Sequence, residues 1–352
     1  KVNDDSFRYV GGAVGFISYD AIRYWERIPS KYKKRGVFPL IEFGIYIDGI
    51  IYNHTERNAY YFTIGKSRHN EIQAEIERND HVQTSTFSYS TPRTILKRKK
   101  YIDMVKKAKH YIYQGDIFQV VLSNNTSLRF KGDLLPVFDD TAIIGSSPEM
   151  LVRVTGDHVE TFPIAGTRPA VKNEIENDVL AKELLSDEKE VAEHTMLVDL
   201  ARNDLGRVCK YGTVKVPELM SIKRFSHVQH IVSHVEGYLA PGLESYDALK
   251  AVFPAGTVSG APKVRAMEII DELEPHPREL YAGAVGYFSA NGSCDFAITI
   301  RSLIINKHNA SIQSGAGIVI DSVPSKEWRE TRDKANGMLF SLREASKKPR
   351  KR

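Results

Sequence analysis

The feature that most limits how this chain can fold is a succession of short apolar runs with almost nothing between them. Residues 150–155 and 158–163 are separated only by Gly156-Asp157, and residues 282–289 and 295–305 by a span holding Asn291-Gly292. Such dipeptides adopt the positive φ of a tight hairpin turn, whereas parallel strands would need crossovers of a dozen residues or more. Further strands are expected at 10–20, 40–64, 117–123, 142–146, 213–216, 227–239 and 310–319. Apolar residues at helical spacing predict helices at 94–114, 174–185, 187–204, 244–252, 262–273 and 325–345. Without a βαβ rhythm, the expectation is an α+β fold built on antiparallel sheets. Gly12-Ala13-Val14-Gly15-Phe16-Ile17-Ser18 is also echoed by Gly283-Ala284-Val285-Gly286-Tyr287-Phe288-Ser289, as strands of a duplicated sheet would be.

At 352 residues the chain can bury a large core, in one domain or two interlocked ones. Its net charge of +5 is matched by the five cations of Lys347-Lys348-Pro349-Arg350-Lys351-Arg352, which leaves the rest near neutral and gives no case for a nucleic-acid partner. Cys209 and Cys294 fit neither a zinc site nor a disulfide framework, so a reducing cytoplasm is expected. No apolar run approaches the ~18 residues of a membrane span. Residues 65–93 are polar, periodic only from Glu71 to Arg78, and read as a connector. The expected division is an N-terminal region at 1–93 packing on a main domain at 94–345, with a basic tail at 346–352. The charged start ahead of Val10-Gly11-Gly12 leads us to expect further sequence upstream.

Two glutamate pairs, Glu190/Glu193 and Glu327/Glu330, share one spacing on predicted helices, so each puts two carboxylates on one face. Each alone could be a solvated face. Four carboxylates brought together would need a cation, and oxygen-only ligands suit Mg²⁺. In the first of these helices, Asp199, Arg202 and Asn203 interrupt the apolar stripe and are expected to form a paired polar network. Pro163-Ile164-Ala165-Gly166-Thr167-Arg168 turns through glycine at a strand end, where backbone N–H groups can meet a carboxylate, or where Arg168 can simply form an ion pair. Pro254-Ala255-Gly256-Thr257-Val258-Ser259-Gly260-Ala261-Pro262 leaves its backbone open ahead of a helix, an arrangement that suits an anion or a flexible loop. Gln313-Ser314-Gly315-Ala316-Gly317 marks a strand that something approaches closely. Tyr281 and Arg301 add a phenol and a cation, and the alternation ahead of Arg301 would point it inward. His230 sits in an apolar strand, as a core histidine or a catalyst.

Taken together, and spread in order over residues 94–345, these segments resemble the chorismate-utilising enzymes, and among them the anthranilate synthase large subunits. The resemblance implies two large antiparallel sheets packed in a sandwich with helices outside. It implies Mg²⁺ bound by Glu193 and Glu330, with Glu190 and Glu327 holding the metal's waters. It also implies a chorismate site formed by Gly166, Thr167, Tyr281, Arg301, Gly315, Ala316 and Gly317. Glu149, in Ser146-Ser147-Pro148-Glu149, would be the general acid, His230 the base for elimination, and Thr257 an orienting hydroxyl.

Two positions discriminate within that family. Members that add water to chorismate, the isochorismate and salicylate synthases, carry a lysine base where this chain has Gln119. Members making aminodeoxychorismate carry a nucleophilic lysine where this chain has Ala165. Both positions favour direct attack by ammonia and formation of anthranilate. No cysteine lies in the Gly-x-Cys-x-Gly setting of a glutaminase, so ammonia is expected from a separate glutamine amidotransferase subunit. The family's Leu-Leu-Glu-Ser and Asn-Pro-Ser-Pro-Tyr-Met segments, which form its tryptophan site, are absent, and the stretch after Gly132-Asp133 is short. The expectation is that segments have been omitted there rather than that feedback control is missing.

Overall fold

Every strand pairing among the described residues is antiparallel. The structure, a computed structural model, describes residues 7–32, 36–78, 87–132, 141–225 and 228–346. The short stretch after Gly132 (133–140) and all of the basic tail beyond Ser346 lie outside them.

The chain opens with β1 (Gly12–Ile17), a 3-10 turn (Tyr19–Tyr24), β2 (Ile41–Tyr46), the hairpin β3 (Asp48–Asn53) and β4 (Asn58–Thr63), and α1 (His69–Arg78). Next come β5 (Phe87–Tyr89), β6 (Arg93–Thr94), α2 (Arg98–Tyr113) and the long β7 (Gln119–Gly132). A run of strands follows: β8 (Thr141–Gly145), β9 (Met150–Thr155), β10 (His158–Thr161) and β11 (Ile164–Pro169). Helices α3 (Glu174–Ser186) and α4 (Glu188–Gly206) precede β12 (Lys215–Arg224) and β13 (Val228–Tyr238). Then come α5 (Ser245–Val252), a 3-10 turn (Gly256–Val258), β14 (Gly260–Ala261) and α6 (Lys263–Leu273). The chain ends in β15 (Ala284–Ser289), β16 (Cys294–Ile298), β17 (Ser302–Asn306), β18 (Asn309–Ile318) and α7 (Pro324–Ser346).

Among the described residues nine strands form one sheet, in the order β11-β13-β10-β9-β16-β15-β1-β2 with β12 on β13, and seven form a second, β14-β7-β18-β17-β8 with β5 and β6 on β7. Helices α4 and α5 cover the larger sheet, packing Val198, Leu205, Leu249 and Val252 against Val154, Val235, Phe296 and Ile298. Helices α2 and α6 cover the smaller one through Tyr101, Val105, Ile269 and Ile270. Each fully buried side chain of this size contributes about 1.5–3 kcal/mol. Phe16, Leu280 and Ile304 join the two sheets.

The echoed heptapeptides turn out to be neighbours. β1 and β15 pair with each other, Gly12 opposite Ser289, Gly15 opposite Gly286 and Ile17 opposite Ala284, so the repeat is related by a local twofold through the two central glycines. The environments match as well. A Cβ on Gly15 would strike the Glu42 carbonyl of β2, and one on Gly286 the Asp295 carbonyl of β16. Each glycine lets the strand on its outer side come close.

Three expectations need correction. The run 295–305 is not one strand; it breaks at residues 299–301, with Arg301 at φ 51°, where the chain leaves the nine-stranded sheet for the seven-stranded one. The strand expected at 213–216 runs to Arg224, because two register shifts in its pairing with β13 destroy the alternation that would reveal it. The polar connector is partly sheet, since β5 and β6 pair with β7.

Candidate active site

Two chain crossovers carry the chemistry side by side. β8 and β17 pair in the smaller sheet while β9 and β16 pair in the larger, so residues 146–149 and 299–301 pass between sheets together. They are tied by Ser146 N donating to the Arg301 carbonyl (3.2 Å) and Ile298 N to the Glu149 carbonyl (3.1 Å). Glu149 and Arg301 therefore face one cleft. Arg301 is exposed rather than turned into the core as its alternating run predicts, because the left-handed backbone there breaks the alternation, and among the described residues no carboxylate pairs with it. Its charge still reaches Glu149 and His230, lowering the pKa of both.

Glu149 is 7% exposed. Burial pushes its carboxyl up to about 7, against the opposing pull of the Thr257 hydrogen bond and the charges of Lys334 and Arg301. Thr257 Oγ1 donates to Glu149 Oε1 at 2.7 Å. Gly256 lets the turn sit against α4, where a Cβ would lie 2.3 Å from Leu200.

On the opposite wall, His230 of β13 meets β11 where that strand's register shifts between Ala165 and Arg168. His230 Nδ1 lies 2.7 Å from the Gly166 carbonyl and 3.1 Å from Thr167 Oγ1. A carbonyl can only accept, so Nδ1 carries the proton and Nε2 keeps its lone pair. Burial lowers the His230 pKa, which favours that neutral form. Gly166 has φ +65°, and a Cβ there would lie 3.2 Å from Glu190 Oε2. Arg168 is not free for a substrate, because it donates to Glu183 and to Asp187, each at 3.0 Å. Asp187 also caps α4 through Lys189 N and Glu190 N, so the Gly166 turn and the acidic helix are fastened to one another.

The acidic pairs feel one another, for the Glu330 carboxylate raises the pKa of both Glu190 and Glu193. Glu193 Oε1 accepts from Gln119 Nε2 at 2.8 Å, and a Cβ on Gly317 would press on both side chains. Gly315 is open for a similar reason, its missing Cβ lying 2.7 Å from the Tyr281 hydroxyl. Burial raises the Tyr281 phenol to about 12, keeping it a donor. The Ala316 side chain points the other way, into the α2–α6 core, so only its backbone faces the site. Glu190, Glu193 and Glu327 all have raised pKa values, first from burial and then from neighbouring acids that in each case include Glu330.

Among the described residues no three His, Cys, Asp or Glu side chains close on one point as a ready cage. Mg²⁺ does not ask for one; it takes one or two carboxylates and keeps its waters. The carboxylate-only donors and their mutual repulsion fit that ion.

One site residue escaped the sequence. Lys334 Nζ pairs with Glu330 (2.7 Å) and donates to the Gly315 carbonyl (3.0 Å). A lysine four residues after a glutamate reads as an ordinary helix pair, and nothing in the spacing marks it. The polar network expected on α4 is likewise not where it was sought. Asp199 and Arg202 pair with each other on the surface, whereas the buried polar groups are His194 and Asp204, the latter held by Lys263 at 2.6 Å. Lys263 is thereby committed, and of the 254–263 segment Thr257 is the residue that reaches the cleft.

Two antiparallel sheets with paired carboxylates, an unpaired guanidinium and a near-neutral buried acid in one cleft define an enzyme for a small anionic substrate. The family model described as chorismate binding enzyme matches residues 1–340, and the chain belongs to that family. Anthranilate synthase component 1 of Methanothermobacter marburgensis is 51% identical over 97% of this chain and 77% of its own length. That of Bacillus subtilis is 40% identical over 95% and 73%. The crystal structure of anthranilate synthase component I from Streptococcus pneumoniae superposes with a TM-score of 0.87 at 38% identity, over 96% of this chain and 82% of that one. The menaquinone-specific isochorismate synthase of Escherichia coli, at 21% identity and a TM-score of 0.71 over 94% of this chain and 78% of that one, shares the fold.

Proposed function

We propose that the chain is an anthranilate synthase large subunit, converting chorismate and ammonia to anthranilate and pyruvate for tryptophan biosynthesis. The observation that carries this reading is Gln119, whose amide is spent on Glu193. A carboxamide is no base, so water is not activated there, whereas ammonia attacks with its own lone pair. The names of the relatives above support the same reaction.

The Arg301 guanidinium and the Tyr281 hydroxyl take the enolpyruvyl carboxylate, against backbone left open at Gly315, Ala316 and Gly317. Glu193 and Glu330 would hold Mg²⁺, with Glu190 and Glu327 supporting its waters, and the ion would supply positive charge for the ring carboxylate. As ammonia adds at ring C2, Glu149 gives its proton to the departing C4 hydroxyl, which leaves as water, and the new ammonium sheds a proton. His230 Nε2 then takes the C2 proton, the C3–O bond breaks, the ring becomes aromatic, and enolpyruvate leaves to become pyruvate. Thr257 orients Glu149, and Gly166 with Thr167 orients His230.

Both thiols are buried and pushed up, Cys209 to about 11 and Cys294 to about 12, so neither is a glutaminase nucleophile. A separate glutamine amidotransferase subunit supplies the ammonia, in the cytoplasm. Residues 94–345 carry the chemistry, and residues 1–93 pack on them, consistent with β1 and β2 extending the larger sheet. The test is incubation with chorismate, Mg²⁺ and an ammonium salt, followed by anthranilate fluorescence. Isochorismate formed without ammonia, and no anthranilate with it, would sink the assignment. His230→Ala is expected to consume chorismate while releasing no pyruvate.

A further inference from the structure

Behind the wall that carries Thr257 and Tyr281 lies an arginine that reaches no substrate and is 3% exposed. Arg278 forms a two-point pair with Glu274, Nε to Oε2 at 3.0 Å and Nη2 to Oε1 at 2.8 Å. Nη1 donates to the Val258 carbonyl at 2.6 Å, and Nη2 also donates to the Val121 carbonyl of β7 at 2.6 Å. The guanidinium lies 4.8 Å from the ring centre of Tyr19 and 5.6 Å from that of Tyr281, while the Arg278 carbonyl accepts from Tyr281 N at 3.0 Å. Glu274 Oε1 takes two more donors, Ser123 N and Ser123 Oγ, at 2.7 and 2.8 Å.

A buried ion pair is on average no more stabilising than apolar side chains of the same volume. What this one adds is register. The 3-10 turn 256–258 is weakly held by its own backbone, with Val258 N to Ala255 O at 3.3 Å and Ser259 N to Gly256 O at 3.2 Å. Ser259 braces its flanks, donating Oγ to the Ala255 carbonyl (2.8 Å) and accepting Val121 N at its own carbonyl (2.9 Å), while the short contacts of the turn itself are Thr257 Oγ1 to Glu149 (2.7 Å) and Arg278 Nη1 to the Val258 carbonyl (2.6 Å). Of these contacts, only the arginine's also reaches Tyr281. The planar fork meets those two carbonyls and both carboxylate oxygens in four bonds, one more than a lysine has donors for.

We infer that Arg278 is a positioning residue that fixes the Thr257 hydroxyl against Glu149 and, through the same fork, the Tyr281 side of the substrate pocket. The inference rests on the functional reading above. Three groups lower the Glu149 pKa: the Thr257 hydroxyl on the turn, Lys334 on α7 and Arg301 at the crossover. Loosening the turn removes the first and leaves the other two. Glu149 must be protonated to act, so weakening its bond to Thr257 raises its pKa and moves the alkaline limb of kcat to higher pH.

The experiment measures kcat and KM for chorismate against pH, with Mg²⁺ and saturating ammonium. It compares the unaltered chain with Arg278→Lys, Thr257→Val and the double variant. Arg278→Lys is expected to lower kcat about 10- to 100-fold, change KM less, and shift the alkaline limb upward as Thr257→Val does. The double variant should lose less kcat than the product of the two single losses, and its remaining excess over Thr257→Val should fall in KM for chorismate, the Tyr281 share. A limb left in place, with losses that multiply, means a purely structural arginine and overturns the inference. If Arg278→Lys does not fold, Glu274→Gln keeps the volume, loosens the same fork and carries the same two outcomes. Failure of the unaltered chain to make anthranilate refutes the functional reading itself, and this inference with it.

Discussion

Two ends of the site hold glutamates whose pKa values are raised for different reasons. At one end Glu149 is alone; burial raises it to about 7, and its nearest charges, Lys334 and Arg301, are cations that pull it down. At the other end Glu190, Glu193 and Glu327 are raised by burial and by other carboxylates. An isolated buried carboxyl relieves its strain by keeping a proton, which makes it an acid poised near neutral pH. A crowd of carboxylates relieves it more fully by sharing a cation. On the proposed reading, the same residue type serves as a proton donor or a metal ligand according to its neighbours.

The largest effect comes from removing the lone acid. Glu149→Gln is expected to cut kcat about 10²- to 10⁴-fold and to abolish the fall in kcat expected of the unaltered chain as pH rises through about 7. Stability should move the other way. A folded pKa raised from 4.5 to about 7 means that the folded state gains on the unfolded one below pH 4.5 and loses that gain as pH climbs through 7. The glutamine variant escapes a loss of about 3 kcal/mol, so its melting temperature relative to the native chain should climb across that window. A difference in melting temperature that stays flat with pH would show that Glu149 is not held neutral by burial.

The crowded end is sharpened by ranking its members. After stripping with EDTA, activity is expected to vanish and to return on titration with Mg²⁺. Glu190→Gln and Glu327→Gln should raise the Mg²⁺ needed for half-activity about 10-fold, and Glu193→Gln and Glu330→Gln about 100-fold. Four equal effects would erase the division between groups on the ion and groups on its waters.

What the sequence could reveal follows from the range of each interaction. The i, i+3 spacing of the glutamate pairs is local, so both helices and their acidic faces were legible at 188–206 and 324–346. The hairpin dipeptides Gly156-Asp157 and Asn291-Gly292 fixed the antiparallel sheets for the same reason. The crossover at 299–301 was not legible, because Thr299-Ile300-Arg301 continues an alternating apolar run and only the positive φ of Arg301 ends it. Nor was the fate of polar residues on α4. Asp199 and Arg202 sit in the same apolar stretch as Asp204, and which of them is buried depends on Lys263, 59 residues beyond Asp204 in sequence. The Gly15–Gly286 pairing was visible only as an echo, since its meaning lies in the strands on either side.

The smallest effect tests whether the two ends are electrically separate. Lys334 pairs with Glu330 at one end and lowers the Glu149 pKa at the other. With its side chain 33% exposed and that of Glu330 47% exposed, the pair is worth about 0.2–1 kcal/mol. Lys334→Met frees Glu330 and removes a cation from the site. By calorimetry without chorismate, Mg²⁺ should therefore bind about 2- to 5-fold more tightly, and the gain should shrink as salt screens the charges. In the same variant the alkaline limb of kcat should move to higher pH, because one of the cations favouring ionised Glu149 is gone. Weaker Mg²⁺ binding, or an alkaline limb that stays put, would mean that Lys334 serves one end alone and that the acid and the metal site are tuned independently.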